Sequence, residues 1–284
     1  MLIANAPCSW GINYPTGNAF TWAQYLDEIA AAGYRGTELG PFGFLPKDAA
    51  LLKEELARRN LTLVGATHVH TFGDPASAPV LTQTLGELAP LLRELGAEHL
   101  VIMDESNFYP PGREGVLDEA GWAGLIRMVR DAQSQVEGEF GLKLSFHPHI
   151  GTAVELESQI DRLLTETDID LCFDTGHHAF WDQDPIAYME KVFPRIAYMH
   201  LKNVDGAVRR RVLDGSLSVA DSYGAGVMCP LPDGVVDIRA VMRLLNENNF
   251  TGPIVVEQDV AADATQTPLE LARYNLTYMN EVMP

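Results

Sequence analysis

Residues 170–178 read Asp-Leu-Cys-Phe-Asp-Thr-Gly-His-His. A short apolar run is closed by a carboxylate, Asp174, and trailed by His177 and His178. Four to eight residues of this kind read as a buried strand. The polar cluster at its C-terminal end reads as the start of a functional loop.

The same unit recurs along the chain. Strands are expected at Leu2–Ala6, Gly36–Leu39, Thr62–Thr67, His99–Met103, Lys143–His147, Asp170–Asp174, Ile196–Leu201 and Pro253–Glu257. Amphipathic helical stretches fill the gaps. Trp22, Tyr25, Leu26 and Ile29 share one helical face before Gly33, and Leu81, Leu85, Leu88, Leu92 and Leu95 share another before Gly96. Val241, Leu244 and Leu245 do the same before Asn248. Eight strands alternating with helices predict an α/β chain folded as one (β/α)8 TIM barrel over residues 1–284. The competing open, doubly wound sheet lacks its GxGxxG signature after the first strand. One connection breaks the rhythm, a long loop at about 202–236 containing Arg209, Arg210 and Arg211. It reads as a lid over the mouth with substrate contacts, or as a surface insertion. The arginine run reads as a phosphate grip or a solvated face.

The 284 residues carry a formal net charge of −19 and 46% hydrophobic content. That is ample for a core, and the charge counts against nucleic acid and anionic membranes as partners. Cys8, Cys172 and Cys229 give no disulfide framework and no CxxC. The N-terminal stretch has no basic, apolar signal pattern, and no apolar run reaches membrane-spanning length. A cytoplasmic enzyme is expected, with homo-oligomerisation left open.

Histidine placement locates the chemistry. Of eight histidines, seven fall at or just past the C-terminal end of a predicted strand: His68, His70, His147, His149, His177, His178 and His200. In a (β/α)8 barrel those ends converge on one mouth, where active sites sit. Glu38, Asp104, Glu105, Asp174, Glu257 and Asp259 join them. Neutral imidazoles mixed with carboxylates suit a divalent cation.

Several stretches also resemble a known family. Ala6-Pro-Cys-Ser-Trp-Gly11, Gly33-Tyr-Arg-Gly-Thr-Glu-Leu-Gly-Pro41, His147-Pro-His-Ile-Gly-Thr152, Phe173-Asp-Thr-Gly-His177, His200-Leu-Lys-Asn203, Pro230-Leu-Pro-Asp-Gly234 and Val256-Glu-Gln-Asp259 are similar to the xylose isomerase-like TIM barrel superfamily. The His-x-His-x-Gly-Thr and Glu-Gln-Asp pieces point to its inosose dehydratase members. The resemblance implies a divalent metal, manganese or cobalt first and zinc or magnesium after, held by Asp174, His200 and Glu257. The superfamily's usual fourth ligand is a strand-five glutamate; here the register offers His147, or Ser145 or His149 if it slips.

The resemblance further implies catalytic roles for His149, His177, Lys202 and Glu257, and substrate contacts for Trp10, Glu38, His68 and His70. His177 either handles protons or supports Asp174. Lys202 either steadies an oxyanion or salt-bridges at the rim. Trp10 is a sugar wall or a packed aromatic. Glu38 binds hydroxyls or caps a helix.

Metal-assisted enolisation of a ketone leads to reprotonation or to loss of a β-hydroxyl. Epimerases of this fold resemble one another in using two glutamates on opposite faces of the substrate. With His147 in place of one, dehydration of a cyclic polyol ketone is the expected reaction, and the partner is a small polyol or sugar. The alternatives are a sugar isomerase or ketose 3-epimerase, and a non-catalytic sugar-binding barrel.

Overall fold

The computed structural model describes residues 2–105, 117–261 and 264–283. Eight parallel strands close into a barrel: β1 (Ile3–Asn5), β2 (Gly36–Glu38), β3 (Thr62–His70), β4 (His99–Asp104), β5 (Lys143–His147), β6 (Asp170–Asp174), β7 (Ile196–Leu201) and β10 (Ile254–Val256). Two short strands, β8 (Asn203–Val204) and β9 (Met228–Cys229), form a separate antiparallel pair. The bounds expected for β5, β6 and β7 coincide with those observed, and β3 runs three residues beyond Thr67. Its extra length is paired with β4 out to His70 opposite Asp104.

Two apolar layers hold the barrel. Ala4, Ala6, Val64, Val101, Cys172, Tyr198 and Val255 fill its interior. A larger shell, including Leu85, Leu100, Phe146, Leu171 and Ile254, seals strands against helices. The helices begin and end as their sequences dictate. Thr21 forms a capping box with Gln24 ahead of Trp22–Ala32, and Gly33 ends that helix in the left-handed region. Among the described residues no helix is long and apolar enough to cross a membrane.

The 202–236 connection is ordered. It contains helices Gly206–Leu213 and Val219–Gly224 between β8 and β9. The buried Asn203 side chain ties it shut, donating to the carbonyls of Leu231 (2.7 Å) and Val236 (3.0 Å) and accepting from the amides of Val204 and Val236. None of residues 203–236 in this lobe lines the mouth cavity, whereas Lys202 at its head does. Arg209 clamps that lobe to Asp182 (3.0 Å) and to the Ala179 carbonyl (2.8 Å), while Arg210 and Arg211 are exposed.

Two buried histidines give the fold a pH dependence. His99, at the foot of β4, packs edge-on to Tyr198, and His178 packs on Phe173 and Tyr188. Burial pushes both imidazoles down to about 4. An unfolded imidazole titrates near 6.5. Between those values the unfolded chain takes up protons that the folded chain refuses. Stability is therefore full above pH ~6.5 and falls as pH drops towards 4, by up to about 3 kcal/mol per ring. We expect a lower urea midpoint at pH 5 than at pH 7, with a smaller drop in His99→Phe. Identical drops in the two proteins would show that His99 accepts a proton freely in the fold.

Candidate active site at the barrel mouth

A cavity of about 450 Å³ opens at the C-terminal ends of the strands, lined in part by Glu38, His68, His147, His149, His200 and Lys202. Each polar residue is placed by its strand. Tyr198 and His200 alternate along β7 and so share the inward face. His147 ends β5, and Asp174 ends β6 and caps the short helix that follows. Its Oδ1 accepts the backbone N–H groups of Gly176 and His177, both at 2.8 Å. That helix lies directly against Lys202: a Cβ on Gly176 would come within 2.4 Å of the lysine Cβ, so only glycine fits.

The His147–Thr152 stretch turns through Gly151, whose φ of +75° favours glycine. The turn is braced by Gly151 N–H to Glu155 (2.8 Å), Ala153 N–H to Asp104 (3.1 Å) and Thr152 Oγ1 to the His149 carbonyl (2.8 Å). Within it the His149 Nδ1–H donates to the Ile150 carbonyl (2.9 Å). Nε2 of His149 is thereby left as the ring's lone-pair nitrogen.

Charge at the mouth is tightly balanced. Lys202, 4% exposed, places Nζ 3.2 Å from Glu257 Oε2, 3.0 Å from Asp259 Oδ2 and 3.2 Å from His177 Nε2. Burial works against its charge, but Asp259, Glu257 and Asp174 push its pKa well above the ordinary lysine value. Burial likewise opposes a charged Glu257, yet His200 and Lys202 hold that carboxyl down at about 2. Asp174 is pushed up to about 6 by burial, against the pull of Lys202 and His200. His147 and His177 are held well below the usual imidazole value and His149 at about 4, each mainly by burial. All three rings are therefore neutral and able to accept a proton or bind a cation.

Several side-chain oxygen and nitrogen atoms are buried without hydrogen-bond partners: Asp174 Oδ2, His200 Nδ1, His147 Nδ1, His177 Nδ1 and His68 Nε2. His200 Nδ1 lies 3.4 Å from Glu257 Oε2 and 4.0 Å from Asp174 Oδ2. Groups whose donors all fall within 4.8 Å of one another are Glu38–His200–Glu257, His147–Cys172–His200 and His147–His149–His177. Asp174 belongs to none of these groups and meets the cluster through His200.

Of the residues anticipated from sequence, His147, His149, His177, His200, Lys202, Asp174 and Glu257 come together. His68 and Glu38 line the same cavity, whereas Trp10 and His70 do not. Trp10 is 4% exposed; its Nε1–H donates to Glu28 (2.7 Å) and its ring packs edge-on to Tyr25, so it belongs to the core and not to the cavity wall. His70 stacks on His68 and bonds Ser77 Oγ (2.9 Å) away from the cavity. Glu38 lies at the cavity floor, but both its oxygens are taken by protein donors. Two partners escaped the sequence reading. Tyr198 was signalled only by its two-residue offset from His200, and Thr67 by its place near the end of β3.

Known proteins share this fold and much of the sequence. A family model for the xylose isomerase-like TIM barrel matches residues 26–281. The rhizopine catabolism protein MocC of Rhizobium meliloti is 34% identical over 83% of this chain and 74% of its own. The inosose dehydratase of Clostridium beijerinckii is 30% identical over 93% of this chain and 91% of its own. In structure, the IolI protein described with a bound zinc atom superposes with a TM-score of 0.75 at 14% identity, covering 99% of this chain and 98% of its own. The chain belongs to the xylose isomerase-like TIM barrel family, among the relatives of inosose dehydratase.

Proposed function

We propose that this chain, acting as one barrel domain, is a metal-dependent lyase that removes water from a cyclic polyol ketone of the inosose class. The observation that carries this reading is the set of unpartnered donors buried at the mouth, Asp174 Oδ2, His200 Nδ1 and His147 Nδ1. A carboxylate oxygen and ring nitrogens left unbonded in a low-dielectric site are costly. A divalent cation bound by Asp174, His200, Glu257 and His147 would satisfy them together. This mixed oxygen and nitrogen set suits manganese or cobalt, with zinc and magnesium as the lesser candidates.

When bound, the cation supplies Lewis acidity to the substrate carbonyl. The chain's own groups do the rest. His149, with Nδ1–H committed to the Ile150 carbonyl, presents Nε2 as the base that takes the proton α to the ketone. Lys202, protonated and held by Glu257 and Asp259, donates a hydrogen bond to the oxyanion that develops. His177, whose ring centre lies 3.9 Å from that of His149, relays the proton that His149 has taken to the departing β-hydroxyl, while Lys202 keeps its own. One C–H and one C–O bond break, a C=C bond forms, and water leaves.

His147 supports elimination over epimerisation, because the strand-five carboxylate that a second-face proton transfer would use is absent. Relatives named inosose dehydratase support the substrate class. Three free cysteines fit a cytoplasmic setting.

The test is to strip the chain with chelator, reload it with Mn²⁺, Co²⁺, Zn²⁺ or Mg²⁺, and follow scyllo-inosose consumption. Turnover should be lost on chelation and return with the first two cations. Undiminished turnover in chelator would contradict the metal assignment.

A further inference from the structure

Glu38 was expected to meet substrate hydroxyls or to cap a helix, and the structure gives it other work. It is 1% exposed on β2, where the pairing with β3 slips between Thr37 and Glu38. Such an irregularity re-aims a side chain, and here the carboxylate enters the barrel. Oε1 accepts from the Tyr198 hydroxyl at 2.8 Å and from His200 Nε2 at 2.9 Å. Oε2 accepts from Thr67 Oγ1 at 3.1 Å. Two hydroxyls thus orient the carboxylate, and its remaining partner is a histidine ring.

We propose that Glu38 is a positioning residue that fixes the tautomer and orientation of His200. By accepting the Nε2–H it turns Nδ1, the nitrogen a cation would take once its proton is displaced, towards the space bordered by Glu257 Oε2 (3.4 Å) and Asp174 Oδ2 (4.0 Å). A carboxylate behind a ligating imidazole holds the ring in place and raises its basicity as a ligand. The inference rests on the reading that His200 binds a cation, and it assigns to Glu38 a part in holding that cation, with none in binding substrate. Tyr198 and Thr67 brace Glu38 in turn, which gives the buried tyrosine hydroxyl its acceptor.

Mn²⁺ affinity of the metal-free protein, measured by isothermal titration calorimetry, tests this. Glu38→Gln should weaken Mn²⁺ binding by about 10–100-fold. Tyr198→Phe removes a donor from the same oxygen but keeps the carboxylate–His200 contact, and should change affinity by less than about tenfold. Equal losses in the two variants would mean that interior packing alone is at stake and would overturn the proposal. So would a Glu38→Gln protein with unchanged Mn²⁺ affinity and a raised KM, the signature of a substrate contact. Wild-type protein that takes up no cation would instead overturn the metal reading itself. A measurement on the wild type avoids any folding defect: ¹⁵N spectra of the Zn²⁺-loaded chain should show His200 with its proton on Nε2. A proton on Nδ1 would overturn the inference.

Discussion

Asp174→Asn is expected to abolish cation-dependent turnover while leaving the fold intact. The two oxygens of Asp174 do different jobs. Oδ1 caps the helix Thr175–Phe180 through two backbone N–H groups, and an asparagine oxygen caps as well as an aspartate. Oδ2 has no hydrogen-bond partner and is buried. Replacing it with an amide removes a cation ligand and one of the three carboxylates that favour the Lys202 ammonium, with Asp259 and Glu257 still in place. Lewis-acid assistance is worth several kcal/mol of transition-state stabilisation, so kcat/KM should fall by about 10³-fold or more. The melting temperature of the metal-free protein should stay close to that of the wild type. A variant that retains wild-type Mn²⁺ affinity would remove Asp174 from the ligand set.

Lys202→Met should have the second largest effect, on catalysis and stability together. Loss of one donor to a developing oxyanion costs about 10²–10³-fold in kcat. The same change leaves Glu257 and Asp259 without their buried ammonium partner, and breaking such a pair from one side costs about 3–5 kcal/mol. A bound cation compensates Glu257, so the stability loss should shrink when Mn²⁺ is added. Kinetics show the role: a rise in KM at constant kcat would mean that Lys202 only binds substrate. An unchanged melting temperature would mean that the acidic groups around it relax into water.

The barrel was legible because its strands are short apolar runs ended by polar residues, and β5, β6 and β7 keep their expected bounds. The seven histidines at strand ends led to the mouth for the same reason. Sequence spacing did not show which way each ring turns. His178 sits one residue after His177, yet its ring packs outward on Tyr188 and Phe173 while His177 faces Lys202. Trp10 follows β1 closely, but the helical turn Pro7–Trp10 swings its indole into the core beside Tyr25. Glu38 was placed at the mouth correctly, but its partners come from β3 and β7, and such contacts exist only once the barrel closes. The 202–236 segment looked like a loop because its helices are short and its strands have two residues each. The hydrogen bonds of Asn203 that close it span 28 and 33 positions of sequence.

Elimination, and not stereochemical exchange, is the reaction expected at the carbon next to the ketone. Its most direct test is a proton NMR time course of scyllo-inosose in D₂O with the Mn²⁺-loaded chain, read after the cation is chelated. The account predicts that ring CH signals disappear together as a product one water lighter accumulates. An intact ring that exchanges a single proton for deuterium, or returns with one centre inverted, would contradict it.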